Sequence, residues 1–473
     1  MQPSCRDFPD NSRKALADAP LQEALAKLKT GFRARRTAAA ERLPEFEALR
    51  DAGRDLKNHT LEHLDHYLEA FEAKVIERGG HVHWCRDGAE ACRAILDICQ
   101  AAKARNVTKS KSMVAEEIGL NDFLERHAIR PVETDLGEYI IQLRHEPPSH
   151  IIAPAIHLNR RDVAESFRAA HQSYPPDRPL DEPRQLLDEA RDVLRRDFVA
   201  ADVGITGANM LIAETGSAVL VTNEGNGDIG QLLPRIHIVV TGIEKVVPNL
   251  EDAATLLRLL ARSATGQETS TYTTLTTGPR RPEDPDGPDA FHVVLLDNGR
   301  SHMLGGTFQD MLRCIRCAAC LNHCPVYGAL GGHAYGWVYS GPMGAVLAPA
   351  LLGLEETRHL PHASTLCGRC EAVCPMRIPL PKMLRHWRER EFERHLMPAR
   401  QRLGLKLWAF FAKHPGLYRA VTGFAVSALS RLAGARGRLA RMPLAKGWTR
   451  YREFPAPRGE TFMSQWASGK RRP

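Results

Sequence analysis

Seven of the chain's eleven cysteines fall between Cys314 and Cys374, in two runs: CIRCAACLNHCP from residue 314 and STLCGRCEAVCP from residue 364. The first run is spaced C-x2-C-x2-C-x3-C-P. That spacing winds a chain around an iron-sulfur cube: three close thiolates reach three irons, the fourth turns away to a neighbouring cluster, and proline stops the chain from following. On this logic Cys314, Cys317 and Cys320 hold a first cluster, with Cys374 as its distant fourth ligand. Cys324 then crosses to a second cluster, alongside Cys367 and Cys370. The second run lacks one thiol, at Ser364, so the second cluster has three evident thiolates. Its fourth position is left to Ser364, to water, to a partner's ligand, or to a three-iron cluster that needs none.

Structural zinc also uses CxxC pairs, but it usually separates them by a longer loop and does not require a run of four. The N-terminal MQPSCRDFPDNSRKALADAP lacks the apolar core of a secretory signal, and no uninterrupted apolar run reaches spanning length. A cytoplasmic location is therefore expected, where clustered cysteines serve as metal ligands or redox groups rather than disulfides. Cys5, Cys85, Cys92 and Cys99 lie outside the runs. A helix from residue 88 would place Cys92 and Cys99 on one face, which suits packing.

The elements that must position these thiols come next. A chain of 473 residues implies two or three domains, and its ordinary apolar content implies globular ones. Residues 1–75 have apolar positions three and four apart and read as a helical lead-in. In residues 76–300, β-branched runs (YIIQL, SAVLVTN, IHIVVTGIEKVV, HVVLL) alternate with helical ones (GAEACRAILDICQAAKA, LDEARDVLRRDFVAADVG, LEDAATLLRLLARSA). The alternation predicts an α/β domain with a largely parallel sheet, interrupted by the loop TGPRRPEDPDGPDA. Residues 301–395 carry the cysteine runs on short helical pieces, and residues 396–473 form a basic helical tail. From Leu384 onward there are 20 Lys and Arg against 5 Asp and Glu, so a basic tail follows a mildly acidic body. The tail is too interrupted by charge and Pro415 to span a bilayer. It would dock on the chain's own body, on a partner subunit, or peripherally on an anionic membrane. Without interleaved aromatics or a recognisable module, it is not expected to bind nucleic acid.

Two polar stretches could build a ligand pocket. GNGDIG, residues 225–230, matches G-x-G-x-x-G, but Pro234 and the strand-like RIHIVV follow where a dinucleotide site needs a helix. The motif reads either as a turn joining two strands or as a pocket rim offering Asn223, Glu224 and Asn226. TKSKSM, residues 108–113, places Lys109, Ser110 and Lys111 before a helix start, where they could hold a phosphate or carboxylate, or form a solvated loop with a serine cap.

Taken together, TKSKSMVAEEIGL, VETDLGEYIIQL, PPSHIIAPAIH, ETGSAVLVTNEGNG, LPRIHIVVTGIEKVVP, FHVVLLDNGRS, the block from Cys314 to Pro349 and LCGRCEAVCPMRIPL resemble the iron-sulfur B component of the bacterial L-lactate utilisation system. The resemblance implies an α/β domain folded like sugar-phosphate isomerases and coenzyme A transferases, followed by an α-helical ferredoxin domain. It also implies two [4Fe-4S] clusters, and joint action with A and C components in oxidising L-lactate to pyruvate. Serine at 364 belongs to the family's pattern. No flavin or nicotinamide fingerprint is evident, so the chain reads as an electron carrier. The alternative is an α/β domain that itself binds and oxidises the hydroxy acid.

Overall fold

Val and Ile runs form ten strands between His81 and Leu296 in the computed structural model, which describes residues 3–442, 446–449 and 452–469. They are β1 (His81–Cys85), β2 (Asn106–Lys109), β3 (Arg130–Glu133), β4 (Val203–Thr206), β5 (Met210–Ile212), β6 (Ser217–Thr222), β7 (Ile236–Gly242), β8 (Val246–Val247), β9 (Tyr272–Thr276) and β10 (Ala290–Leu296). Six of them form a wholly parallel sheet in the order β1-β10-β7-β4-β2-β3. Successive residues on its central strands bury on opposite faces, as the strand period of two requires. Ile238 and Val240 of β7 join Val294 and Leu296 of β10 in one core, while Val239 joins Val293 and Leu295 in the other. The helix Gly88–Ala101 covers the first face with Cys92, Ile95 and Cys99, so those two cysteines are packing residues. The helix Leu64–Glu77 covers the second with Leu68, Phe71 and Val75.

Four local readings differ from the sequence expectation. YIIQL is the end of the helix Leu136–Leu143, because Asp135 caps it by accepting from Glu138 N and because Tyr139 and Ile140 pack one turn deep against Phe167. Five residues are too few to separate a period of two from one of 3.6. LDEARDVLRRDFVAADVG is helical only to Val199, and its last residues open β4. GNGDIG is not a simple turn. Gly225, left-handed at φ 72°, caps the helix Asn226–Leu232, which lies so close to β4 that a Cβ on Gly204 would sit 1.8 Å from the Gly230 carbonyl. Finally, β8-β5-β6-β9 form a second, mainly antiparallel sheet that the sequence does not separate from the first: SAVLVTN supplies β6 and the end of IHIVVTGIEKVV supplies β8, but β5 has only three residues and β9 is mostly exposed.

The chain divides into two compact units, Met1–Arg390 and Glu391–Pro473. In the second, the helices Ala399–Ala412 and Pro415–Ala433 leave Leu403, Trp408, Phe410 and Phe424 exposed. Among the described residues no helix is long and apolar enough to cross a membrane.

Within the first unit a buried chain of charges ties the α/β domain to the cysteine segment. Arg300 pairs with Glu117 at 2.7 Å and with Glu244 at 2.8 Å, and Arg316 reaches Glu244 at 3.3 Å. Tyr339 Oη donates to Glu117 at 2.7 Å. Removing one member of a buried pair strands its partner's charge at a cost of about 3–5 kcal/mol. Arg300→Met is therefore expected to lower stability by that amount, read as the urea midpoint of the anaerobically purified protein at pH 7. An unchanged midpoint would remove the network from the account of what holds the two segments together.

Candidate metal centre and adjoining cavity

The two cysteine loops are conformational twins. Cys317, Cys320 and Cys324 recur fifty positions later as Cys367, Cys370 and Cys374. In both loops the first cysteine of the matched three, Cys317 or Cys367, sits between left-handed residues: Arg316 and Ala318 at φ 60°, Leu366 at 54° and Gly368 at 80°. Each non-glycine in that region costs about 1–2 kcal/mol, strain that only a constrained site retains. Each loop then enters a four-residue helix, Ala319–Asn322 or Arg369–Ala372. The winding aims backbone N–H groups at sulfur, from Ala319 to Cys317 and from Arg369 to Cys367.

Cys314, Cys317, Cys320 and Cys374 line one small apolar cavity with Ile151, Met343 and Met376. Burial pushes the Cys317 thiol up to about 12 and Cys374 to about 11, and drives Cys320 well upward too. Such thiols keep their protons unless a metal displaces them. Cys324, Cys367 and Cys370 form the other group. Burial pushes Cys370 up to about 12, and the nearby Cys324 and Cys367 add to the shift. Cys367 is exposed and is held below its ordinary value by the Arg369 N–H. Cys324 Sγ accepts from Tyr327 N at 3.5 Å. Ser364 Oγ accepts from Leu366 N at 3.1 Å, so its hydroxyl is already engaged by its own loop.

The N-terminal helices, read from sequence as a lead-in, grip these loops. Arg36 donates to Val373 O at 2.7 Å, and Arg50 donates to Cys374 O and Ala372 O, each at 2.8 Å. The signal was invisible, because both arginines lie in ordinary amphipathic helices (Phe32–Glu41 and Phe46–Glu62) and bond to carbonyls, which carry no sequence code.

A second cavity, of about 650 Å³, opens near the carboxyl ends of β2, β6 and β7, where α/β sheets bind ligands. Ser110, Lys111, Asn223, Glu224 and Asn226 all line it. Lys109 does not. Its ammonium is buried between Glu116 at 2.8 Å and Glu133 at 2.6 Å, because alternate residues of β2 face opposite sides of the sheet. Ser112 caps the helix Met113–Glu117. The inner wall holds residues that sequence reading did not single out: Lys245, Arg316 and Tyr339. Ile151 and Arg316 line this cavity and the thiol cavity alike, so the two share a wall.

His150 sets that wall in place. Its Nδ1 accepts from Ile152 N and Ala153 N, each at 3.1 Å, which leaves Nε2 to donate to Asn322 Oδ1 at 2.9 Å. The neutral ring thus joins the α/β cavity to the first cysteine loop.

Three family models match: LUD domain over residues 68–296, 4Fe-4S dicluster domain over 310–378, and Lactate utilisation protein B, C-terminal, over 369–471. The lactate utilization protein B of Lysinibacillus sphaericus is 42% identical over 98% of this chain and 97% of its own. That of Geobacillus thermodenitrificans is 46% identical over 90% of each. The chain belongs to the lactate utilisation protein B family. The resemblance seen in the sequence thus holds for nearly the full length, and the dicluster match falls on the twin cysteine loops. Among solved structures, a Duf162 family protein from Deinococcus radiodurans matches at 17% identity and TM-score 0.26, over 49% of this chain and 98% of that one.

Burial lowers the His150 pKa to about 4 from an ordinary 6.5. The native ring refuses a proton that the unfolded chain accepts, so its contribution is complete above pH 6.5 and is lost as pH falls towards 4. His150→Gln is expected to cost about 1–3 kcal/mol at pH 7 and to flatten the loss of thermal stability between pH 6.5 and 5. A variant with the parent's acid sensitivity would show that the ring is not neutral in the folded protein.

Proposed function

We propose that this chain is the electron-transfer subunit of a complex that oxidises L-lactate to pyruvate, acting with A and C components of the lactate utilisation system. The observation that carries this reading is the wall shared by a ligand-sized cavity and the first thiol group. Cys314, Cys317, Cys320 and Cys374 would hold one [4Fe-4S] cluster, and Cys324, Cys367 and Cys370 would hold a second. The donor set fits such groups: seven thiols, amides aimed at sulfur, and arginines closing around the loops. Bound there, the clusters supply two one-electron acceptors for the two electrons released when a hydroxy acid becomes an oxo acid.

Burial orders the parts. The cavity adjoins the buried first group, and the second group comes to the surface at Cys367. Clusters held in this order would place one acceptor beside the cavity and the other at an exposed edge, where a partner could take electrons from it. We read the α/β domain as a relative of the sugar-phosphate isomerase and coenzyme A transferase folds, with its cavity given over to ligand binding. A second reading, in which this cavity also oxidises the acid, draws on the convergence there of Ser110, Lys111, Asn223, Glu224 and Asn226.

Electron paramagnetic resonance of anaerobically purified protein tests the ligand sets. Cys374→Ala is expected to disturb the signal of the cluster held by Cys314, Cys317 and Cys320, and a change confined to the other cluster would refute the crossed ligation. Ser364→Ala is expected to leave both clusters assembled, because a hydroxyl is a poor iron ligand beside thiolates. Loss of iron in that variant would make Ser364 a ligand.

A further inference from the structure

The inner end of the α/β cavity carries more positive charge than the protein neutralises. Two buried carboxylates, Glu117 and Glu244, face three cations, the buried Arg300 and Lys245 and the largely buried Arg316, before Lys57 is counted. Arg300 donates Nη1 and Nη2 to Glu117, and its Nε lies 2.8 Å from Glu244 as an ion pair without hydrogen-bond geometry. Arg316 spends Nη2 on Glu244 and stacks over the Tyr339 ring at 5.1 Å, but its buried Nη1 has no hydrogen-bond partner. Lys245 is 9% exposed, lines the cavity, and among the described residues has no ion-pair or hydrogen-bond partner for Nζ. A buried donor without a partner costs about 1–3 kcal/mol, and a buried charge costs more. Two such groups at one end of one cavity are the complement of an anion.

Negative charge on cluster-bound thiolates could answer Arg316, whose other face lines the thiol cavity. Cys314 and Glu244 also act on Lys245 through space, yet neither bonds its Nζ, and Lys245 lines only the larger cavity of the two. The cavity's own acids, Asp135 and Glu224, pair with neither cation; Glu224 accepts from Leu136 N instead. At about 650 Å³ the cavity exceeds what a three-carbon acid needs, so an acid would fill only the inner end and leave the rest as an approach from solvent.

We propose that Lys245 and Arg316 form a carboxylate-binding pair, which seats a small 2-hydroxy or 2-oxo acid against the wall between the α/β cavity and the first thiol group. The proposal rests on the lactate reading above for the identity of the acid, and on geometry for the pair. Ser112 and Tyr339 complete the inner end. Asn226, buried in the same cavity, offers an amide to the acid's second oxygen function. Lys245 and Arg316 are thus recognition residues for an anion, and Arg316, which borders both cavities, seats that anion beside the thiol site.

Isothermal titration calorimetry on the full-length, cluster-loaded protein tests the pair, with L-lactate, pyruvate and neutral lactamide as probes. One of the acids is expected to bind, and lactamide, of the same shape without the charge, about tenfold weaker or worse. Lys245→Met and Arg316→Gln should each weaken the acid by a similar factor, with Lys245→Arg restoring most of it. Iron content and resonance spectra verify that the clusters are intact. Lactamide binding as well as lactate, or unchanged acid affinity in Lys245→Met, overturns the pair; so does a variant that alters only the cluster signal, since the cations would then be counter-charges. The lactamide comparison needs no variant to fold. Protein that passes electrons in the assembled complex but binds neither acid refutes this site and leaves the electron-transfer reading standing. Acid binding without electron passage does the reverse.

Discussion

The charge chain Glu117, Arg300, Glu244, Arg316 is the constraint on which the site depends. Glu117 ends a helix that follows β2, Glu244 lies just after β7, Arg300 follows β10, and Arg316 belongs to the first cysteine loop. Four segments distant in sequence are thereby fixed around one buried, nearly dry point. Their spacing has little freedom, because an acid or base displaced there loses its partner without gaining water. The wall between the two cavities follows from it: Arg316 is held through Nη2 on Glu244, so its other nitrogen and its strained backbone have set positions. The two long-range hydrogen bonds of Lys57, to the Glu244 and Val246 carbonyls, secure the same point from the N-terminal helices.

Burial then divides the labour between the two thiol groups. The first is closed off by Ile151, Met343 and Met376, with Arg316 at its edge. The second keeps Cys367 and Leu366 at the surface, with a loop whose serine hydroxyl bonds its own backbone. The backbone is nearly the same in both loops, so the difference between an enclosed and an accessible site comes from what surrounds them.

Much of this was legible in the sequence, for identifiable reasons. The cysteine spacing is a local code, because a short loop must wind around what it binds. The central strands and the helices Gly88–Ala101 and Leu250–Ala264 were legible because a buried face imposes its period on the residues. The antiparallel sheet was not, although its β6 reads as a strand, because β5 and β8 have three and two residues and β9 is mostly exposed. Lys109 was misjudged by one position: its neighbours Ser110 and Lys111 do face the cavity, but the pleat turns Lys109 into the sheet's opposite side. Arg316 was hidden inside a motif whose cysteines took all the attention. Lys245 was hidden in a run that reads as strand. The functions of both depend on partners that only the fold supplies.

The reach of Arg36 and Arg50 into the second cysteine loop also bears on how the protein is made. Their acceptors lie more than three hundred residues further along the chain, at Ala372, Val373 and Cys374. During synthesis the N-terminal helices leave the ribosome with their arginines facing nothing, and the cradle cannot close until translation has passed Cys374. Closing so long a loop gives these contacts no help from local folding. Any group that needs the second loop would therefore be loaded late in the life of the chain, and a truncated product that ends before that loop leaves Arg36 and Arg50 without these acceptors.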